Sequence, residues 1–130
     1  MSQNRRIIIK IFLITLGLII IGVGTALFYF TRGLSEGAAL EIGEIYPEEQ
    51  QDGSYFGSFD SRRWANELEI VVEKGKIIEI RVLNDMMIVD GDLADNIFNQ
   101  VLEKQSLEVD IIAGATVSSK AYLKALENAF

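Results

Sequence analysis

The chain has 130 residues, enough for one domain and a further segment, and it carries no cysteine and no histidine. That excludes disulfide scaffolds, cysteine nucleophiles, the usual zinc sites and haem held by histidine, and it removes the commonest general base at neutral pH. The net charge is −7, with every Asp and Glu after residue 32; beyond Arg32, 19 acidic side chains face 8 basic ones, a net −11 that argues against nucleic acid as a partner.

The first element is "RRIIIKIFLITLGLIIIGVGTALFYFTRG", Arg5 to Gly33. It is uncharged from Ile11 to Thr31. About 20 apolar residues suffice to cross a bilayer as a helix. Lys10 can reach the headgroups from its edge, and Phe28, Tyr29 and Phe30 form an interfacial aromatic cluster. Arg5, Arg6 and Lys10 precede the span and only Arg32 follows it, so the positive-inside rule predicts a cytoplasmic N-terminus and an extracytoplasmic remainder. The run is long for a signal peptide, and no convincing small-residue cleavage site follows it directly. We read residues 1–32 as an uncleaved anchor in the lipid bilayer of the cytoplasmic membrane.

Residues 33–51 are acidic, hold the only proline, Pro47, and show no sustained period. They read as a solvated linker with a short helix near Ala38. The pattern changes at Asp52. "DGSYFGSF" suits a first strand. "ELEIVVE" and "IIEIRVL" alternate, with Leu68, Ile70 and Val72 on one face of the first and Ile78, Ile80 and Val82 on one face of the second. Gly75 between them supplies the positive φ of a tight hairpin.

Next, "VDGDLADNIFNQVLEKQS" predicts a helix capped by Asp90 or Asp92, with Leu93, Ile97, Val101 and Phe98 inward. Its aspartates lack the ligand spacing of a calcium loop, so no metal site is assigned. "LEVDII", Leu107 to Ile112, reads as another strand, and a last helix follows over roughly Ser118 to Ala129, with Tyr122, Leu126 and Ala129 at helical spacing. The sum is an α+β chain: a single N-terminal transmembrane helix, then a small domain, residues 52–130, with a mostly antiparallel sheet packed with helices.

"DIIAGATVSSKAYLKAL", Asp110 to Leu126, places a glycine and three hydroxyls at the mouth of that helix. Two uses fit. One is local: Gly114 makes a turn and Ser118 caps the helix. The other is a phosphate seat, with the unpaired N–H groups and positive end of the helix, close approach at Gly114, donors at Thr116, Ser118 and Ser119, and the Lys120 cation. The spacing is not that of a P-loop.

The same stretch resembles the signature of the FMN-binding domain family, D-x-x-[ST]-G-A-T-x-[ST]-S followed by a helix. "DGSYFG", from Asp52, is similar to the family's D-G-x-Y-x-G start, and "VEKGKIIEIRVL", from Val72, to its glycine-centred hairpin. The resemblance spans roughly Asp52 to Phe130. It implies FMN as cofactor, held at Gly114, Ala115, Thr116, Ser118 and Ser119 with Asp110 upstream, and carried covalently or noncovalently. In covalent members a separate flavin transferase joins FMN by phosphoester to the threonine that corresponds to Thr116. Ala113 departs from the pattern, which usually has Ser or Thr there, and this leaves room for noncovalent binding. The isoalloxazine needs an apolar or aromatic platform, for which Tyr55, Phe56 and Met86 or Met87 are candidates; ordinary core is the simpler reading of the methionines. Trp64, beside Arg62 and Arg63, is either a partner contact or the edge of the flavin pocket. No catalytic residue is assigned. The implied role is an electron-transfer relay serving membrane or extracytoplasmic redox partners; the alternatives are an anchored binding module without flavin, or a small quinone or ferric reductase.

Overall fold

The computed structural model describes residues 2–89 and 91–130. The chain divides into two compact units, Met1–Gly33 and Leu34–Phe130.

The first unit is one helix, α1 (Gln3–Thr31), of 29 residues. At 1.5 Å per residue it is roughly 43 Å long, more than the hydrocarbon core of a bilayer. It is the one helix among the described residues long and apolar enough to cross a membrane. Its threonine hydroxyls are satisfied inside the helix. The hydroxyls of Thr15, Thr25 and Thr31 donate to the carbonyls of Ile11, Ile21 and Leu27 at 2.9, 2.8 and 2.7 Å.

The second unit lays helices on one face of a three-stranded antiparallel sheet, ordered β1 (Gly53–Phe59), β2 (Asn66–Glu73), β3 (Lys76–Asn84). β2 alternates as its sequence predicts, burying Asn66, Leu68, Ile70 and Val72. Lys74 and Gly75, with φ of 52° and 74°, form the two-residue turn to β3; both angles are positive, as a type I′ hairpin requires.

β3 corrects the sequence reading. Val72 faces Ile77 but Val71 faces Glu79, so Ile78 is an extra, bulged residue. The bulge turns Ile77 into the core and leaves Ile78 exposed, while Ile80 and Val82 stay partly buried. A second shift near Glu67 and Leu68 leaves Leu83 outside in the same way.

Helix α3 (Leu93–Lys104) buries the predicted stripe of Leu93, Ile97, Phe98 and Val101. Asp92 occupies its N-cap position without a side-chain bond, and Asp90 lies outside the described residues. α4 (Thr116–Glu127) is the central helix, with Tyr122, Leu123 and Leu126 packed on the β2 face. Its N-terminus falls at Thr116, so Ser118 is inside the helix and is not the cap.

Residues 107–112 form no ladder with a neighbouring strand. A side chain stands in for one: the Gln100 amide donates to the Asp110 carbonyl at 3.2 Å and accepts its N–H at 2.9 Å. Gln105 treats Ile77 of β3 the same way, at 2.9 and 2.7 Å.

Within residues 33–51, which read as a solvated linker, 34–43 run along α4 and Pro47–Glu49 lie against β3. A short helix, α2 (Leu34–Ala38), packs Gly37 against Val117. Lys120 Nζ then donates to the carbonyls of Ala38 and Leu40, at 2.6 and 3.0 Å. Glu127 accepts the Gly43 N–H at 3.0 Å. Burial alone would raise the Glu127 carboxyl, but the Gly43 N–H and the Lys124 ammonium bring it below its ordinary value. Ile45 and Pro47 complete the docking as buried residues.

Candidate functional site

The site is built on the N-terminus of α4. The Ala115 N–H bonds the Ile112 carbonyl at 3.0 Å, closing a turn that Gly114 can complete because its φ is 82°. Nothing lies within 4 Å of where a Cβ on Gly114 would sit, so the turn is open on that side. Ala115 holds the N-cap position and has no side chain to cap with, and no acidic residue stands in the first turn. Among the described residues no side chain accepts from the leading N–H groups of α4, which stand at the positive end of the helix dipole.

These groups border a cavity of about 500 Å3. Its polar wall is Gly114, Ala115, Thr116 and Ser118, joined by Arg63. Its apolar wall includes Trp64, Ile88, Leu93, Ile112 and Val117, with Leu34 from α2.

Of the residues singled out in the sequence, Gly114, Ala115, Thr116 and Ser118 are thus brought together. Three others are not. Ser119 is fully buried, and its hydroxyl donates to the Ala115 carbonyl at 2.7 Å, so it braces the first turn from within. Asp110 borders a different, more open hollow, of about 610 Å3, with Asn96, Asn99 and Gln100 of α3. Tyr55 packs on Phe130, beyond the opposite end of α4, with ring centroids 5.3 Å apart, and its hydroxyl donates to the Gln51 carbonyl at 2.7 Å. Twelve residues of α4 separate that end from Thr116, roughly 18 Å. Lys120 does not line the cavity, and its ammonium donates to the Ala38 and Leu40 carbonyls. Met86 is core, Met87 is 65% exposed, and neither lines the cavity; exposed Phe56 does not line it.

Trp64 is the aromatic of the wall. It sits in a single 3-10 turn, Arg62–Trp64, and is 4% exposed. The buried Asn66 amide fixes that turn to α4, donating to the Trp64 carbonyl at 3.1 Å and the Ala121 carbonyl at 3.2 Å. Arg63 lays its guanidinium 4.3 Å from the centre of the Trp64 ring. The segment that brings Ile88 to the wall is tied to α4 at Asp85, which accepts the Tyr122 hydroxyl at 2.6 Å. Burial, and then the bond to Asp85, push the Tyr122 phenol upward, so it stays a neutral donor. A phosphate seat of backbone N–H and hydroxyl groups beside an apolar, Trp-bearing wall suits a phosphorylated ring compound. Among the described residues, no cluster of three His, Cys, Asp or Glu is placed to hold a metal ion.

Sequence reasoning missed Leu34, Arg63 and Ile88. They are distant in the chain from the helix mouth and meet it only through packing. No curated protein and no solved structure matched the chain significantly. Residues 65–130, just over half of the chain, match the family model of the FMN-binding domain. That span holds β2, β3, α3 and the whole helix mouth from Gly114 to Ser118, so the chain belongs to the FMN-binding domain family, with FMN as its cofactor.

Proposed function

We propose that this chain is a membrane-anchored flavin electron carrier with its FMN-binding domain on the extracytoplasmic side, and that FMN is attached through a phosphoester at Thr116. The observation that carries this reading is the mouth of α4. Thr116 opens the helix at the cavity wall, beside leading N–H groups that no side chain caps. A phosphate there is stabilised by the helix dipole and by the Ser118 hydroxyl. Gly114 lets it approach the backbone, and Ala113 is no donor, so Thr116 and Ser118 are the hydroxyls available. Trp64 and the aliphatic wall exclude water from the rest of the ligand. FMN, when bound, supplies electron transfer in steps of one or two electrons. The chain's own groups hold and orient it. The absence of histidine and cysteine suits a carrier better than an enzyme with its own acid–base machinery. Membrane or extracytoplasmic redox partners and a flavin transferase complete the reading, and α1 supplies the anchor.

The test is intact mass of the chain co-expressed, in exported form, with a flavin transferase, alongside Thr116→Ala. The expected result is a gain of FMN less one water, absent from the variant. An unmodified yellow protein would replace the phosphoester by noncovalent holding in the same turn. An unmodified, colourless protein would overturn the carrier.

A further inference from the structure

Among the described residues, the wall of the cavity at the mouth of α4 holds one charged side chain, Arg63. The α4 cation nearest the mouth in sequence, Lys120, is engaged by the Ala38 and Leu40 carbonyls instead. Arg63 is also held in place. Its guanidinium stacks 4.3 Å from the Trp64 ring centre, its carbonyl accepts the Met87 N–H at 3.0 Å, and Asn66 ties the next residue to α4. Arg62, one residue earlier, is exposed and does not line the cavity.

We propose that Arg63 sets the reduction potential of the flavin held in this cavity, by stabilising the negative charge that reduction adds. The inference rests on the flavin reading of the cavity given above. Reduction of the ring takes up two electrons and, at neutral pH, one proton, which leaves one further negative charge on it. Most of the chain beyond Arg32 opposes that charge, with 19 acidic against 8 basic side chains. A fixed cation in a wall of Trp64, Ile88, Leu93 and Val117 acts through a lower effective dielectric than water, so its attraction outweighs that of a mobile surface lysine. Removing the charge makes the oxidised form relatively more stable and lowers the potential.

The experiment is a reductive titration with dithionite, read in the flavin absorbance against a redox dye, on the full chain in detergent after loading with flavin. The variants are Arg63→Lys, Arg63→Gln, Arg63→Met and Arg62→Gln. Their fold is checked by circular dichroism and by the fluorescence of Trp64, the sole tryptophan. The expected result is a lower potential in Arg63→Gln and Arg63→Met, a value near the parent's in Arg63→Lys, and no change in Arg62→Gln. Potentials unchanged in both neutral Arg63 variants overturn the proposal, and so does an equal shift in Arg62→Gln. Neutral variants that take up no flavin, beside an Arg63→Lys that does, also overturn it, because the charge would then act in loading. If the parent chain itself stays colourless, the flavin reading of the cavity has failed. That outcome is visible before any titration begins.

Discussion

Ser118 and Ser119 are neighbours with the same hydroxyl, and in sequence both read as phosphate donors. The helix separates them, because a step of one residue turns the side chain through about 100°. Ser118 lines the cavity, while Ser119 points inward and bonds the Ala115 carbonyl. The expected outcome follows from that difference. Ser119→Ala leaves flavin attachment unchanged and costs about 1 kcal/mol of stability, the loss of one buried hydrogen bond; intact mass and a denaturant titration read the two effects on the same sample. Loss of attachment in a folded Ser119→Ala would assign that hydroxyl to the site after all. Thr116, Gly114 and Ser118 were legible because one short motif places them on one turn. Arg63 was not, since an arginine beside a tryptophan carries no periodicity. Its position depends on how Asn66 pins a 3-10 turn to a helix 55 residues further on.

Among the elements, the β2–β3 hairpin and both long helices of the domain could be read from alternation and helical spacing, because each depends on neighbours close in the chain. Two features could not. The bulge at Ile78 reverses an apparent alternation, and the choice of Ile77 for the core is made by the register with β2. Residues 107–112 look like a strand, but no strand pairs with them and Gln100 supplies both backbone bonds of Asp110, and side-chain pairing of that kind leaves no pattern in sequence. The docking of residues 34–49 was equally hidden. Its bonds run from scattered backbone groups to Lys120 and Glu127, some 80 residues away. The contact that seats α4 on the sheet is at Gly57 of β1, where an added Cβ would run into the Ala125 carbonyl oxygen and crowd the Ala129 side chain. Backbone cannot yield as a flexible side chain does. Gly57→Ala is expected to cost about 1–3 kcal/mol, which lowers Tm on the order of 10 °C for a domain of this size. Thermal unfolding followed by circular dichroism reads it directly, and an unchanged Tm would mean that β1 is not pressed against α4.

At the scale of the whole molecule, the question is on which side of a membrane the flavin domain works. α1 is apolar on every side and none of its residues is buried, as a helix in contact with lipid must be. Three basic residues precede the uncharged run and one follows it, a bias from which the positive-inside rule predicts an N-terminus inside. A covalent tether suits the outside, where a cofactor lost by diffusion would not be recovered. The chain's lack of cysteine makes the point testable, since any introduced thiol is the only one. Ser2→Cys and Glu103→Cys both fall on exposed positions, one at the start of α1 and one on α3. In intact cells a membrane-impermeant maleimide is expected to label Glu103→Cys and to leave Ser2→Cys unlabelled until the membrane is opened with detergent. The reverse pattern would place the domain in the cytoplasm. Intact mass on the same membranes separates anchor from signal peptide: retention of residues 1–32 keeps the domain in the membrane fraction, whereas their removal would release it and end the case for an anchored carrier.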